Sequence, residues 1–523
     1  MLFVSKEFVA FIAAVIAIYY ICPKKFRWYV LLAASLFFYT MDDARNLIYL
    51  AVTGVTSWGL CLILDRISSD GSKAIKKIKD KDKKKQFKAR VQRNKRIFML
   101  LAVLVDLGVL GFTKYADFVV SNVTTLFSHR MRVTDMFVPL GISFYTFKTV
   151  SYVLDVYRGT SKAEKNLLKL MLFVTYFPQA VQGPISRWNN ISATLFEGKN
   201  AGLKPFAAGL IRIFWGYFKK VVVADRLLVP VMTLTRDHAS YQGAYVFVAI
   251  LMYAMELYCD FTGGIDITIG ISECLGIKVE ENFILPYFSK NIKEYWNRWH
   301  ITMGSWFTDY IFYPLSVSPN MLNLSKWSRS RLGNAFGKRV TVYISCFLVW
   351  LATGVWHGAA WNFIVWGLLN FVVIMISQEL DPLYKKFHGK FGLKDKAWYG
   401  AFEMIRTFFL MGMIRMLDCY RDVPVTFKSL GSMFTSWHMK VFTDGSLLDI
   451  GLDLKEYILL GACAVILFLV SLYRYRTGRE LREKISGNPD LTFACCLILL
   501  ILTVVFGAYG KGYNTSQFIY NQF

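Results

Sequence analysis

Two of the six histidines in this chain are surrounded by aromatic or small apolar residues. His357 lies at residues 354–362, which read GVWHGAAWN, and His300 lies at residues 294–302, which read EYWNRWHIT. A titratable side chain inside a membrane-like segment is costly to bury, and it commonly marks a reaction or transport path. Both histidines are therefore candidate functional residues.

His357 directly follows an apolar run and has the small neighbours Gly354, Gly358, Ala359 and Ala360. Small residues let backbone or substrate approach the imidazole closely. An imidazole that titrates near neutral pH can take a proton from a hydroxyl and return one to a leaving group, which contributes roughly 10²–10⁴ in rate. A buried histidine that ties two helices together is the alternative, and it stays open because spacing identifies no serine or cysteine nucleophile.

The pattern around His300 predicts one amphipathic helix that does not cross the membrane. Its aromatic face is Tyr295, Trp296, Trp299, Met303, Trp306, Phe307 and Tyr310, and its polar face is Glu294, Arg298, Thr302, Ser305 and Asp309. His300 lies at the border of the two faces. Spacing alone favours a structural role in a hydrogen-bond network at the lipid interface over a catalytic one.

Composition predicts an all-α, polytopic integral membrane protein. Apolar residues make up 55% of the 523 positions, mean hydropathy is +0.38, and many runs approach the ~20 residues that cross a bilayer. We expect about eleven transmembrane helices plus re-entrant and amphipathic helices, in a single domain over residues 1–523. Candidate spans are residues 7–22, 26–40, 47–64, 97–113, 139–157, 166–182, 205–232, 241–258, 340–356, 359–377, 401–417, 456–473 and 491–509.

Several functional classes lack their signatures in this sequence. There is no phosphate-binding Walker loop, dinucleotide fingerprint, G-x-S-x-G turn or H-E-x-x-H pair. The nine cysteines are scattered without metal-ligand spacing and are expected to be small core residues. No repeat of fixed period is visible, which weakens a transporter interpretation. The first apolar run has no basic start and is expected to be a retained helix.

The net charge of +25 is concentrated between hydrophobic spans. Residues 73–96 carry thirteen lysines and arginines against Asp80 and Asp82, and such basic loops mark the cytoplasmic side. Lys24, Lys25 and Arg27 lie two crossings earlier, so both clusters are predicted on the same face and the N-terminus outside. The basic loop at residues 326–339 is also expected inside. Attraction to anionic lipid is favoured over binding of nucleic acid.

Taken together, these motifs resemble the membrane-bound O-acyltransferases. WNRWH at residues 296–300 and GVWHGAAWN at residues 354–362 are similar to the family's two signature histidine motifs. Further similar blocks are PLGISFYTF at 139–147, YFPQ at 176–179 with GPI at 183–185, DFTGGID at 260–266 and FIY at 518–520. They resemble the bacterial branch that includes the alginate O-acetylation protein and the lipoteichoic acid D-alanine transferase.

Within that branch, the chain length, the block DYIFYPL at 309–315 and the extra C-terminal spans look more like the alginate O-acetylation type. Three features depart from the pattern. Gly264 and Asn521 stand where aromatic residues are expected, so the acceptor can differ from alginate. The basic insertion at residues 73–96 is also heavier than expected.

The resemblance implies O-acyl transfer by a multi-pass protein of the bacterial inner membrane. An activated donor on the cytoplasmic side, acetyl-CoA or an acyl-carrier thioester, would supply the acyl group, expected to be acetyl, with no bound cofactor or metal. Partners would be membrane lipid, an exported polysaccharide or teichoic acid acceptor, and an SGNH-type extracytoplasmic protein, with no nucleic acid. D-alanyl transfer to teichoic acid, lipid O-acylation and a non-enzymatic exporter are the alternatives.

The same resemblance assigns roles to individual residues. His357 would be the general base for the accepting hydroxyl, and His300 the second catalytic histidine, on the donor side with Asn297, Arg298 and Asp309. Trp299, Trp356 and Asn362 would line the tunnel. A straight helix from the basic loop would lift His357 about 25 Å from that face, so direct contact between the two histidines is not required.

Overall fold

The structure, a computed structural model, describes residues 3–127, 133, 137–393 and 396–509. Within these residues the chain is all-α, as predicted, and its one pair of β-bridged residues is Phe283 with Trp299. Two compact units are present, residues 1–209 with 268–280 and residues 210–267 with 281–523. The single domain expected over residues 1–523 stays a prediction.

The first unit is built from eight complete helices and parts of two others. They are α1 (Lys6–Ile21), α2 (Arg27–Thr40), α3 (Asn46–Lys77), α4 (Lys81–Leu110), α5 (Ala116–Leu126), α6 (Ile142–Arg158), α7 (Leu167–Thr175), α8 (Trp188–Leu195), the start of α9 (Leu203–Tyr217) and the end of α11 (Ala244–Cys274). A π-helical turn, Gly111–Tyr115, joins α4 to α5.

The basic segment at residues 73–96 is helical rather than a loop. Only residues 78–80 connect α3 to α4, and the Asp80 side chain caps α4 by accepting from the backbone N–H groups of Asp82 and Lys83. Lysine, arginine and glutamine are good helix formers, and Gly71 lets α3 pack closely against Val91. The expectation of a loop is wrong, and α3 with α4 forms a helical hairpin, here called the basic hairpin.

Residues 176–186 form a buried segment without regular helix, apart from one 3₁₀ turn at Phe177–Gln179. Side chains form hydrogen bonds with its backbone N–H and carbonyl groups. The hydroxyl of Thr268 donates to the carbonyls of Pro178 and Gln182 at 2.8 and 2.7 Å, and the Ser35 hydroxyl accepts from the Phe177 N–H at 3.1 Å. The predicted span at 166–182 therefore ends as helix at Thr175, and the remainder is an irregular segment covered by protein, as irregular backbone at membrane depth requires.

The second unit contains the remaining helices and all the predicted site residues. They are the end of α9, α10 (Asp225–Arg236), most of α11, α12 (Ile292–Arg298), α13 (Ile301–Phe307), α14 (Tyr313–Ser316), α15 (Pro319–His357), α16 (Trp361–Phe391), α17 (Ala397–Tyr420), α18 (Val423–Thr435), α19 (Leu454–Thr477), α20 (Leu481–Ile485) and α21 (Pro489–Phe506). Two π-helical segments, Phe218–Ala224 and Thr308–Phe312, interrupt this order, and α15 is kinked at Gly333.

Seven of the described helices are long and apolar enough to cross a membrane. They are α3, α4 continued through α5, α11, α15, α16, α19 and α21. Shorter helices cover other predicted spans, such as α1 with 16 residues and α6 with 17. The predicted span at 205–232 is divided among α9, the π-helical segment and α10. The count of about eleven crossings stays a prediction.

The π-helical segment Phe218–Ala224 directs two adjacent buried lysines onto α11. The ammonium of Lys219 lies 2.6 Å from the Asp266 carboxylate, and that of Lys220 lies 2.5 Å from Asp260 and 2.8 Å from Asp225. Isolated charges would be very costly here, so each is compensated by an opposite charge.

Candidate active site

His357 is the last residue of α15, and only 7% of it is exposed. The backbone leaves the helix at Gly358 and enters α16 at Trp361. A Cβ on Gly358 would lie 2.4 Å from the ring of Phe363, and one on Gly354 would lie 2.6 Å from the Phe363 carbonyl oxygen. The small residues beside His357 therefore allow α15 and α16 to pack closely where they meet.

Aromatic rings enclose the imidazole of His357. Its centroid lies 4.6 Å from Trp366 and 5.1 Å from Trp356, both edge to face, and 6.4 Å from the nearly parallel ring of Phe363. His357 also lies at the C-terminal end of α15, where the helix macrodipole is negative. That end stabilises a positive imidazolium by roughly 0.3–1 kcal/mol, and more where the site is partly buried.

The aromatic segment that carries His300 is not one helix. The prediction of a continuous amphipathic helix is wrong, because α12 ends at Arg298 and α13 begins at Ile301. Between them Trp299 pairs with Phe283, and His300 adopts left-handed backbone with φ of 49°. Such backbone costs about 1–3 kcal/mol in a non-glycine residue and persists where neighbours hold it. As a result, the His300 side chain is fully buried.

Asn282 fixes the tautomer of His300. Its Oδ1 accepts from the backbone N–H and the hydroxyl of Thr302, at 3.1 and 2.9 Å, and lies 3.2 Å from Nδ1 of His300. Because Oδ1 is an acceptor, Nδ1 carries the proton and Nε2 is the accepting nitrogen. Burial, and after it the positive charge of Arg415, lowers the pKa of His300 to about 3. The ring is therefore neutral at physiological pH.

Trp356 contacts both histidines. Its ring centroid lies 5.9 Å from His300 and 5.1 Å from His357. The indole of Trp356 thus lies against both imidazoles. We call His300, Trp356, His357 and Trp366 the histidine centre.

A buried arginine lies against this centre. The Arg415 guanidinium lies 4.9–5.4 Å from the ring centroids of three tryptophans, Trp366, Trp299 and Trp296, and its Nη1 is 3.0 Å from Asp418. Cation–π contacts are strongest with tryptophan and grow when water is excluded. Trp366 therefore contacts a fixed cation on one side and the His357 imidazole on another.

Comparison with known proteins gives the same family as the motifs. Residues 163–328 match the family model for membrane-bound O-acyltransferases. The "Probable alginate O-acetylase AlgI" of Pseudomonas putida is 31% identical over 100% of this chain and 100% of its own length. The chain belongs to the membrane-bound O-acyltransferase family. It is therefore an O-acyltransferase and a multi-pass integral membrane protein.

Two other relatives of this acyltransferase have different names. The "Peptidoglycan O-acetyltransferase" of Helicobacter pylori is 30% identical over 60% of each chain. The "Teichoic acid D-alanyltransferase" of Bacillus subtilis is 29% identical over 51% of this chain and 65% of its own. The similarity to the alginate O-acetylase covers the full length of this chain. The similarity to the other two enzymes, whose names give peptidoglycan and teichoic acid, covers only part of it.

The predicted lining residues of the acyltransferase divide into two groups. Trp299 and Trp356 lie among the rings of the centre, and the Asn362 side chain donates to the Leu417 carbonyl at 3.1 Å, which ties α16 to α17. The other three residues are not among these rings. Asn297 is exposed, and Arg298 pairs with Glu294 at 2.6 Å. Asp309 is half-buried in the π-helical segment Thr308–Phe312. Their roles on the donor side stay predictions.

Residues that sequence reasoning missed are Arg415, Asp418, Asn282 and Trp366. A signal existed for the first two, because they are charges three residues apart in a largely apolar helix, and such charges commonly mark functional groups. Asn282 carried no signal. It reaches His300 because residues 282–284 pair with 298–301, through Ile301 N–H to the Asn282 carbonyl at 3.0 Å and Ile284 N–H to the Arg298 carbonyl at 3.0 Å.

Proposed function

We propose that this acyltransferase moves an acetyl group from an activated donor on the cytoplasmic side to a hydroxyl of an exported polysaccharide. The observation that carries the proposal is His357, an imidazole at the end of a long apolar helix, enclosed by rings and nearly excluded from water. The printed names of full-length relatives support acetyl as the group and a polysaccharide as the acceptor. The bacterial inner membrane is the proposed location.

His357 acts as general base in this proposal. Its unprotonated nitrogen takes the proton from the acceptor hydroxyl while that oxygen attacks the carbonyl carbon of the acetyl thioester. The carbon–sulfur bond then breaks, and the imidazolium returns its proton to the departing thiolate. The negative end of α15 favours the imidazolium that exists between these steps.

His300 has a different part, because its pKa of about 3 makes it a poor proton acceptor at neutral pH. Its Nδ1 proton is held by Asn282, so Nε2 can accept a hydrogen bond. We assign His300 to positioning on the donor side, with Trp356 between it and the base. The enclosing aromatic rings keep water from the thioester and so limit its hydrolysis.

Purified protein in proteoliposomes, combined with the proposed SGNH-type extracytoplasmic partner and supplied with labelled acetyl-CoA and an exported polysaccharide, tests these roles. Replacing His357→Ala should reduce ester formation by about 10²–10⁴, since general-base catalysis contributes that much, with unchanged thermal stability. His300→Ala should lose less. His438→Ala, at an exposed position, is the matched control. Retained activity in His357→Ala would remove it from the mechanism, and equal losses at both histidines would indicate a shared catalytic role.

D-alanyl transfer to teichoic acid is the second candidate function. It is supported by partial similarity to D-alanyltransferases, which covers 51% of this chain. It uses the same base and leaving-group chemistry, but its donor is a D-alanyl thioester on a carrier. The compound that mild base releases from the product, acetate or D-alanine, distinguishes the two. An ester formed on a membrane lipid instead would support the lipid-modifying alternative.

A further inference from the structure

The basic hairpin extends well beyond the apolar parts of the two helices that form it. The apolar part of α3 ends at Leu64, and the helix continues to Lys77. α4 begins at Lys81, and its apolar part begins at Ile97. At about 1.5 Å per residue, these extensions are roughly 20 and 24 Å long. We call residues 76–85, which lie farthest from the apolar parts, the tip.

The tip is strongly basic and uncovered. It carries seven lysines against Asp80 and Asp82, and all seven lysines are exposed. The ion pairs between residues that the structure describes include none of these lysines. Nearer to the apolar parts, by contrast, Gln92 donates to the Tyr157 hydroxyl at the end of α6. The tip therefore presents its positive charge to the surroundings of the protein.

These charges do not stabilise the hairpin itself. α3 and α4 pack closely at Gly71, where a Cβ would lie 2.8 Å from the Val91 side chain. In α4, Lys81 and Lys85 are one helical turn apart, and like charges at that spacing destabilise a helix about as much as opposite charges stabilise it. The lysines of the tip therefore point to a partner outside the hairpin.

Anionic lipid accounts for basic residues near the membrane but not for the tip. The headgroup region is roughly 5–8 Å thick on each side of the bilayer core, and its potential decays within a Debye length, about 8 Å at physiological ionic strength. Lys76 and Lys85 each lie twelve residues beyond the apolar part of their helix. That distance is about 18 Å, or about 17 Å at the average helix tilt of about 20°. The potential of the lipid is largely screened there.

The composition of the tip argues against a ligand that binds through phosphate groups. All of its basic residues are lysine, whereas arginine is the residue whose paired hydrogen bonds fit phosphate. The one aromatic residue between positions 65 and 96, Phe87, is half-buried, so it does not offer a free ring on which a nucleic acid base could stack. Lysines on an exposed helix instead match carboxylates on a partner helix, as at the charged positions of coiled coils.

We propose that the tip of the basic hairpin is a docking surface for an acidic cytoplasmic protein, which binds through carboxylate groups on a helical face. The ion pairs would be exposed to water, so the complex should form quickly and weaken as salt is added. This inference is independent of the proposed function, because it is tested by binding without acyl transfer.

Photo-crosslinking in intact cells identifies what contacts the tip. Gln86, an exposed residue of α4 beside the tip, is replaced by p-benzoylphenylalanine, which keeps all seven lysines. We expect one major adduct that protease removes and ribonuclease does not, with a crosslinked protein of net negative charge. The tip variant combines Lys77→Gln, Lys81→Gln, Lys84→Gln and Lys85→Gln. It should lower the yield of this adduct about tenfold or more, since it removes four exposed ion pairs.

The purified partner, titrated onto the purified full chain, then measures the interaction directly. The tip variant should bind it about 10–100-fold more weakly. It should remain folded, because glutamine is a good helix former and the change removes repulsion between like charges. Thermal unfolding checks this. The matched control makes the same change of charge at four exposed lysines of the second unit, Lys385→Gln, Lys386→Gln, Lys390→Gln and Lys396→Gln, and should bind as the parent does.

Four results would overturn the inference. An adduct that ribonuclease removes would make the ligand a nucleic acid. Adducts with lipid alone would show that the hairpin lies on the membrane surface. Equal loss of binding in the tip variant and the control would show that only net charge matters. A protein adduct whose yield is the same in the tip variant, or no adduct at all, would show that the lysines of the tip have no acidic protein partner.

Discussion

At the scale of single residues, the two histidines of this acyltransferase differ in what surrounds them. His300 is wholly buried, its Nδ1 proton is fixed by Asn282, and a fixed cation lies nearby. His357 stands at a helix end against rings. The first environment disfavours a positive charge, whereas the second places the imidazole at the negative end of a helix. The proposed division into a positioning histidine and a proton-accepting histidine rests on this difference.

The low pKa of His300 predicts a pH-dependent stability. Its folded pKa of about 3 lies below the roughly 6.5 of an unfolded histidine. Between these values the unfolded chain binds a proton that the folded chain does not, so this contribution to stability is complete above pH 6.5 and decreases as pH falls toward 3. His300→Gln should flatten the dependence of the midpoint of thermal unfolding between pH 7 and 4, and His438→Gln should not. An unchanged slope in His300→Gln would contradict the burial argument.

Residue types alone selected both histidines as candidates, together with Trp299 and Trp356, but missed Trp366, whose ring lies 4.6 Å from that of His357. They did not identify the partners that set the behaviour of His300. Asn282 and Arg415 reach it through contacts between segments 18 and more than 100 positions away. Local spacing holds no information on such contacts.

At the scale of elements, the junction of α15 and α16 depends on residues without side chains. Gly358 has extended backbone with φ of −177°, so any residue could adopt it, and the constraint is space. A Cβ there would lie 2.4 Å from Phe363, whose ring lies against His357.

Gly358→Ala should therefore displace the Phe363 ring, destabilise the fold by about 1–3 kcal/mol through overpacking and reduce activity. Gly389→Ala in α16 is the matched control, because a Cβ there meets nothing within 4 Å. The measurements are thermal unfolding and ester formation in the same detergent. Equal effects of the two substitutions would show that close packing at Gly358 is not required.

The sequence predicted that the elements are helices, but it did not predict where the helices break. Apolar runs of span length correctly gave an all-α protein. The break between α12 and α13 was missed because periodicity continues through it, whereas the backbone pairs with residues 282–284. The basic hairpin was missed for the opposite reason: its charge suggested a loop, although its residues favour helix.

At the scale of the whole molecule, the basic hairpin bears on orientation. Residues 73–96 carry a net charge of +11, and every lysine and arginine there except Lys95 is exposed. The charged part of α3 beyond residue 64 extends it by about 20 Å at 1.5 Å per residue. A group so charged is costly to move across a bilayer, so it should remain in the cytoplasm.

A cysteine at Lys84, in a background without the nine native cysteines, tests this orientation. In intact cells it should resist a membrane-impermeant thiol reagent, and it should react after permeabilisation. Ala44→Cys, one helix away in the exposed turn before α3, should behave in the opposite way. Labelling of Lys84→Cys in intact cells would reverse the topology and with it the proposed donor side.

The last prediction concerns what the acyltransferase requires from other proteins. Its motifs and full-length similarity point to polysaccharide O-acetylation, and the closing FIY motif at residues 518–520 lies outside the described residues. We expect that the chain expressed alone gives little esterified polysaccharide, because we also expect an SGNH-type extracytoplasmic protein to complete the transfer. Co-expression with such a partner should give acetate that mild base releases from exported polysaccharide. Release of D-alanine would make the second candidate function correct, and full activity of the chain alone would show that the partner is unnecessary.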